Sequence, residues 1–402
     1  MATSWEKKRL GDLAMIIMGQ SPKSEYYNNR GDGLPFFQGN RDFGELHPSP
    51  STYCSLPSKI ALPKDILMSV RAPVGALNLA AEECCIGRGL CAIRPNRSGR
   101  FIFYLLKANI ENIHAAESGA VFGAVNKADL NSLLLLIPSD EQTQDKIAAI
   151  LSAYDELIEN NLRRIKILEE MGQTIYREWF VKFRFPGHQN IKMVDSPLGK
   201  IPEGWEVSAL GSLCTLIKEP YREEPHFSFP LIDLARIPQK TLLASEVGSP
   251  KELSTSRIIF SPDDVLFGAI RPYLHKVILA PTNGVTNVSV FVLRSREEIN
   301  KPFVAVLLSM EDSVRWADQY STGTKMPVIK WDVFQQMKVL IPKKEVIRGF
   351  YDVVWPMMQL IKNTFLRNSN LRQTRDFLLP KLISGELDVS ELDIKIAETE
   401  RN

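Results

Sequence analysis

The sequence predicts a mixed α/β (α+β) fold: two globular domains separated by two long helices that pack as an antiparallel coiled coil, with a pseudo-two-fold internal repeat. Three observations predict it. Short motifs recur at an offset of about 200 residues, so one structural plan is used twice. Each copy carries runs rich in β-branched and aromatic residues, broken by Gly, Pro, Asn and Asp, which mark strands and turns. Each copy then ends in a stretch whose apolar residues follow the 4-3 spacing of a coiled-coil seam.

The repeat is read directly from the residues. Trp5-Glu6 with Leu10-Gly11-Asp12-Leu13 returns as Trp205-Glu206 with Leu210-Gly211-Ser212-Leu213. Pro63-Lys64-Asp65-Ile66-Leu67 with Arg71 returns as Pro262-Asp263-Asp264-Val265-Leu266 with Arg271. Lys127-Ala128-Asp129-Leu130 leading to Pro138 matches Lys330-Trp331-Asp332-Val333 leading to Pro342, and Leu157-Ile158-Glu159-Asn160 matches Leu360-Ile361-Lys362-Asn363. The expected divisions are 1–140 for the first globular domain, 141–182 for the first helix and 183–204 for a linker. They continue with 205–342 for the second domain, 343–387 for the second helix and 388–402 for a tail. Strands are expected at 257–260 and 285–293, and short helices near 100–113 and 302–319.

The first long helix has an unbroken seam through Ile147, Leu151, Tyr154, Ile158, Asn161, Ile165, Leu168, Gly172, Ile175 and Trp179. Ser139 or Asp140 caps its start, just after Pro138. A helix of roughly 38 residues is ~57 Å long, more than a compact domain of this size needs. The second helix carries a weaker seam through Val346, Phe350, Val353, Met357, Leu360, Thr364, Arg367, Leu371, Thr374 and Leu378. Pro356 predicts a kink and Pro380 a stop. Two such seams in one chain most simply pack on each other. Asn161 either fixes their register or points to water or a partner.

Composition bounds the rest. A chain of 402 residues with 44% hydrophobic content is globular and exceeds one ordinary core. It has no signal-peptide pattern and no spanning apolar run, so a cytoplasmic protein without a membrane is expected. Cys54, Cys84, Cys85, Cys91 and Cys214 lack zinc spacing and read as buried free thiols. A net charge of +2 decides nothing, but 84–110 holds Arg88, Arg94, Arg97, Arg100 and Lys107 without an acid. That run is either a solvated face or a phosphate contact.

Catalytic motifs are missing. There is no P-loop, no G-x-G-x-x-G, no Asn-Pro-Pro-Tyr run and no G-x-S-x-G, and the histidines have no metal-ligand spacing. Pro262-Asp263 lacks the acid-x-Lys triplet that would complete a nuclease site. The sequence therefore reads as non-catalytic, with no metal and no cofactor of its own. What remains are loops of the residue types that touch nucleic acid: Ser21, Lys23, Tyr26, Tyr27, Asn28, Arg30, Gln38, Asn40 and Arg41. Asn and Gln pair with adenine edges, Arg and Lys with guanine edges, and Ser and Lys hold phosphates.

Through Tyr176-Arg-Glu-Trp179-Phe180 at the end of the first helix and Ile201-Pro202-Glu203-Gly204-Trp205 at the entry to the second domain, the sequence resembles the specificity subunits of type I restriction-modification systems, over essentially its whole length. The most specific stretch is Tyr176-Arg-Glu-Trp179-Phe180-Val-Lys-Phe183-Arg-Phe-Pro-Gly187, followed by Leu198-Gly-Lys-Ile201-Pro202-Glu203-Gly204-Trp205. Phe377-Leu-Leu-Pro380-Lys-Leu-Ile-Ser-Gly385-Glu386 closes the second helix in the same manner. The globular parts resemble target recognition domains through Gly19-Gln-Ser21-Pro22, Val70-Arg71-Ala-Pro73-Val-Gly75, Ile86-Gly87-Arg88-Gly89 and Ser118-Gly119. In the second domain the matching pieces are Asp264-Val-Leu-Phe-Gly268-Ala-Ile-Arg271-Pro272-Tyr273 and Gly323-Thr-Lys325-Met-Pro327.

The resemblance implies a prokaryotic subunit that reads a bipartite site in double-stranded DNA, one domain per half-site. It also implies partners: two methyltransferase subunits and two restriction and translocation subunits, which bring S-adenosylmethionine, ATP and Mg. Arg71, Arg88, Arg271, Tyr273 and Lys325 join the candidate DNA contacts on this basis. A single-chain DNA-modifying enzyme and a coiled-coil assembly protein are the rival readings.

Overall fold

The computed structural model describes residues 4–115, 123–222, 229–244, 247–249, 251 and 256–396. Ser118, Gly119 and the end of the tail lie outside them. By contacts the chain divides into two units, 1–160 with 370–402 and 161–369. Each contains one globular part and a segment of each long helix.

In the first unit, strand Trp5–Arg9 pairs antiparallel with Leu134–Pro138. A four-stranded antiparallel sheet follows in the order Ala14–Met18, Leu90–Pro95, Ile66–Ser69, Leu77–Leu79. Ile66–Ser69 is buried at every position, which is why it reads as a continuous apolar run without alternation. Helices Gly99–Ala108 and Ile110–Ala115 lie in the stretch expected to be helical, and Phe101 through Leu106 are buried in the core. The intervening chain forms a five-stranded sheet from short strands at 27–28, 53–54, 34–37, 84–86 and 60–61.

The second unit repeats this frame. Glu206–Ala209 pairs with Lys338–Ile341. A four-stranded sheet runs Cys214–Ile217, Val290–Ser295, Val265–Gly268, Val277–Leu279, the same order as before. The run expected as one strand at 285–293 is two: Gly284–Asn287 pairs with Arg257–Phe260, and Val290–Ser295 enters the sheet. Helices Lys301–Ser309 and Glu311–Gln319 complete the unit.

The repeat is tightest at an ion pair between a buried aspartate and a half-buried arginine. Arg94 forks onto Asp65 at 2.9 and 2.7 Å, and Arg294 onto Asp264 at 2.8 and 2.7 Å. Each aspartate also accepts a backbone N–H three residues upstream, from Leu62 and Ser261. A planar guanidinium matched to a carboxylate fixes both distance and orientation, so the fork locks neighbouring strands. One expected correspondence shifts. Val70 and Ala269 make equivalent backbone bonds, to Gly89 and Ser289, so Arg71 matches Ile270, while Arg271 stands where the first domain has Ala72.

The long helices span Glu141–Tyr176 and Lys344–Ile383. Asp140 caps the first, accepting from the N–H groups of Gln142 and Thr143 at 3.3 and 3.0 Å. Those donors, the Thr143 hydroxyl first, hold its carboxyl below the usual range. A wider π turn at Arg177–Val181 ends the helix. In the first unit Ile147, Ala148 and Leu151 share a core with Leu379, Leu382 and Ile383, and Asp155 pairs with Arg375. In the second unit Asn161 donates to Asn368 at 2.7 Å, and Ile165 packs with Ile361 and Phe365. Tyr176 meets Phe350 at 6.2 Å. Within each unit one residue number rises as the other falls, so the helices run antiparallel.

The second seam sits one residue later than the sequence suggests. Val353 and Leu360 are 41% and 43% exposed, and Leu371 is only half-buried. The buried stripe is Ile347, Phe350, Val354, Met358, Ile361, Phe365, Asn368, Arg375, Leu379 and Leu382. Its inward positions include Asn368 and Arg375, which are polar but satisfied by Asn161 and Asp155, and an apolar count cannot find such positions. Pro356 lies on an exposed position and the helix continues through it. Pro380 does not stop the helix. The end comes after Ile383, at Gly385, whose φ of +77° suits a residue without a Cβ, and any Cβ there would sit 2.7 Å from the Trp5 ring.

Candidate nucleic-acid interface

In the first domain the backbone ties four loops together. Gly19 and Gln20 donate to the carbonyls of Leu90 and Ile86 at 2.9 and 3.0 Å. Gly87 and Gly89 donate to Phe37 and Gln38 at 2.9 and 3.1 Å, and Val70 donates to Gly89 at 2.9 Å. The approach is too close for side chains: a Cβ on Gly19 would lie 2.2 Å from the Gly87 carbonyl oxygen, and one on Gly89 2.4 Å from that of Gln38. This is the physical content of the Gly-rich motif around Arg88.

Side chains then link the loops. The Ser21 hydroxyl donates to Gln38 Oε1 at 3.0 Å and accepts from the Arg88 backbone N–H at 3.2 Å. Lys23, Arg41, Arg71 and Arg88 are exposed on these connected loops. Arg71 is bridged to Ala124 through its backbone, which leaves the guanidinium outward. Asn40 opens the short turn Asn40–Asp42 that carries Arg41. The surface is therefore cationic, with a serine and two side-chain amides among the cations.

Other candidate residues hold the loop. The Tyr27 ring stacks on Phe36 at 4.6 Å, and its hydroxyl donates to the Pro22 carbonyl at 2.8 Å. Tyr26 is half-buried against the cluster of Phe36, Cys54 and Cys85. Asn28 accepts from the N–H groups of Arg30 and Asp32 at 3.1 and 3.0 Å and donates to the Asp32 carbonyl at 2.8 Å, so its amide builds a turn. Arg30 pairs with Asp32 at 3.2 Å on the surface.

The basic run at 84–110 divides. Arg94 is held by Asp65, Arg97 by Glu141 at 2.6 Å and Arg100 by Glu156 at 2.9 Å. Burial lowers the pKa of Lys107. Arg97 is exposed in a surface pair and Arg88 is exposed on the loop cluster, whereas Arg94 and Arg100 are half-buried in their pairs, so the run is not one continuous face.

The second domain presents a different head. Arg271 donates its N–H to the Pro327 carbonyl at 2.7 Å, and Thr322 and Val328 exchange backbone bonds at 3.0 and 2.9 Å. Loops 270–275 and 322–328 thus form one surface bearing Arg271, Tyr273 and Lys325, the last two exposed. Arg271 and His275 have φ of +50° and +52°, at the two ends of the turn Pro272–Leu274. Left-handed backbone at residues other than glycine is costly and persists where the surroundings impose it. Arg271 Nε is enclosed and has no partner among the described residues. Met326, exposed beside Lys325, is a further candidate that the sequence reading missed, because an apolar residue in a loop carries no nucleic-acid signal.

All five cysteines are free and buried, and burial pushes the thiols of Cys84, Cys91 and Cys214 up to about 12. Among the described residues no group of His, Cys, Asp and Glu could hold a metal ion, and no helix is long and apolar enough to cross a membrane.

Residues 3–170 match the family model described as the type I restriction modification DNA specificity domain. The type I restriction enzyme MjaX specificity subunit of Methanocaldococcus jannaschii is 42% identical over 176 residues, which is 42% of this chain and 41% of that relative's length. The MjaIX specificity subunit of the same organism is 24% identical over 411 residues, covering 96% of this chain and 94% of its own. Among solved structures, the type I restriction-modification S subunit from M. genitalium is similar in fold, with a TM-score of 0.61 and 17% identity over 94% of this chain and 96% of that one. Residues 3–170 thus match the type I restriction modification DNA specificity domain, and over nearly its whole length the chain is similar to type I restriction-modification specificity subunits.

Proposed function

We propose that this chain is the non-catalytic DNA-reading subunit of a type I restriction-modification complex, with one globular domain for each half of a bipartite double-stranded target. The observation that carries this reading is the pairing of a repeated frame with unlike loop surfaces: Ser21, Gln38, Arg41, Arg71 and Arg88 in one copy, Arg271, Tyr273 and Lys325 in the other. Equal frames give the two readers the same support, and unlike loops read unlike sequences. Lys23, Arg41, Arg71 and Lys325 suit phosphates, while Gln38, Asn40, Arg88 and Arg271 suit base edges.

Two methyltransferase subunits and two restriction and translocation subunits assemble on the chain in this reading. S-adenosylmethionine, ATP and Mg bind to those partners. Duplex binding by the purified chain, with and without its methyltransferase partner, tests the proposal. Affinity should fall steeply with salt because phosphate contacts release counterions. Binding that ignores salt, or methyl transfer by the chain alone, would contradict it.

A further inference from the structure

Two positions of the repeat, one in each globular domain and one in each long helix, carry inverted charges. Lys64 and Asp263 occupy one backbone position. Their φ angles are +71° and +70°, and their N–H groups donate to Ala80 and Ala280 at 2.8 and 3.0 Å. On the helices, the match of Leu157-Ile158-Glu159-Asn160 with Leu360-Ile361-Lys362-Asn363 makes Glu159 and Lys362 equivalent. A positive domain residue and an acidic helix residue in one copy have therefore become a negative and a basic residue in the other.

The contacts follow the inversion. In the second unit Lys362 Nζ reaches Asp263 Oδ1 at 2.7 Å, with both side chains largely buried, and Gln359 Nε2 and Lys301 Nζ approach the same carboxylate at 3.4 and 3.7 Å. Lys301 also holds Glu298 at 2.7 Å. In the first unit the helix supplies the acids: Glu159 faces His47 at 3.9 Å, Glu156 takes Arg100 and Glu141 takes Arg97. Lys64, His47, Arg97 and Arg100 border one cavity of about 560 Å³ on that side.

We propose that this inverted pair keys each globular domain to its own helix, so that the two readers cannot exchange places and the order of the half-sites is fixed by the chain. A transposed first domain would set Lys64 against Lys362, and a transposed second domain would set Asp263 against Glu159. Lys362 and Asp263 are largely removed from water, so a like charge set against either repels strongly and makes the wrong pairing costly, although Lys64 itself is exposed. The consequence for half-site order rests on the DNA-reading role proposed above, whereas the key itself is a matter of folding.

The test is a cycle on the full chain, read by melting temperature without DNA: Lys362→Glu, Asp263→Lys and the double variant. Lys362→Glu is expected to lower the midpoint by about 5 °C, and the double variant to recover at least half of that. Lysine is tolerated at the φ of Asp263, since Lys64 already adopts it in the first copy. Should Lys362→Glu fail to fold, Lys362→Met against Asp263→Asn/Lys362→Met supplies the same comparison, with recovery in the double variant expected. A double variant no more stable than its single parent overturns the proposal. A chain with its globular domains transposed should fold better when its helices carry Glu159→Lys and Lys362→Glu, and no gain from those changes also overturns it.

Discussion

The first and second domains share a four-stranded sheet of one strand order and the same aspartate–arginine fork, yet the chain around that sheet differs. In the first it forms a five-stranded sheet that supports the Ser21, Gln38 and Arg88 loops, and among the described residues of the second it forms the pair Arg257–Phe260 with Gly284–Asn287. The difference shows where the repeat is constrained. Residues that lock the sheet stay, and residues that build the outer loops are free to change.

The rungs between the long helices extend the comparison. In the first unit the rung is ionic: buried Arg375 meets Asp155 and also Glu45, and Tyr104 donates to Asp155 at 2.6 Å. In the second unit it is neutral, Asn161 to Asn368. Arg375→Ala leaves Asp155 and Glu45 charged and enclosed, so a loss of about 3–5 kcal/mol is expected in denaturant unfolding. Asn161→Ala removes one neutral bond and takes this donor from the buried Asn368 Oδ1, for about 1–3 kcal/mol. Equal losses from the two variants would break the distinction.

A smaller effect separates two carboxylates that join domain to helix. Burial pushes Glu45 up, but hydrogen bonds and charge from Arg372 and Arg375 outweigh it and hold its pKa below the ordinary 4.5. Burial dominates at Glu169, which is raised although Thr241 and the Leu242 N–H both donate to it at 2.7 Å. The signs therefore oppose. Glu45 contributes stability that is present above its unfolded pKa and lost as pH falls through the lower folded value, so Glu45→Gln should flatten the acid limb of stability against pH. Glu169 is disfavoured as a carboxylate in the folded chain, and that cost is relieved as pH falls through its raised pKa. Glu169→Gln should accordingly be neutral or stabilising at pH 7. A destabilised Glu169→Gln with an unchanged acid limb for Glu45→Gln would reverse this account.

The most local expected effects lie on the loops. Arg271→Ala should relax one position of a single half-site by about 1–3 kcal/mol, whereas Lys23→Ala should weaken all sequences alike and reduce the salt slope by about 1. Competition binding on single-position variants of the target distinguishes the two outcomes. Uniform weakening by Arg271→Ala would move it to the phosphate contacts.

Much of this architecture was legible in the sequence because its signals are periodic. The 4-3 spacing from Ile147 to Ile165 marks positions that are buried at Ile147, Leu151, Ile158, Asn161 and Ile165. The second helix defeated the same reading by one residue, since Val353 and Leu360 are apolar but outward, while Asn368 and Arg375 are polar but inward. The loops were legible as a surface and less so as contacts. Asn28 and Tyr27 have the composition of base readers but support the turn, and Arg94, Arg97 and Arg100 looked free only because their acidic partners lie 29, 44 and 56 residues away. Long-range pairing of this kind leaves no local trace.

The claim that each domain reads independently is tested most directly by a graft. Residues 14–130 are replaced with the matching part of a type I specificity subunit, the proposed partners are supplied, and methylated adenines are mapped across a genome. One half of the bipartite motif should change to that of the donor while the other half is retained, because the second frame, its fork Asp264–Arg294 and its loops are untouched. A folded, active graft in which both halves change together would contradict the account.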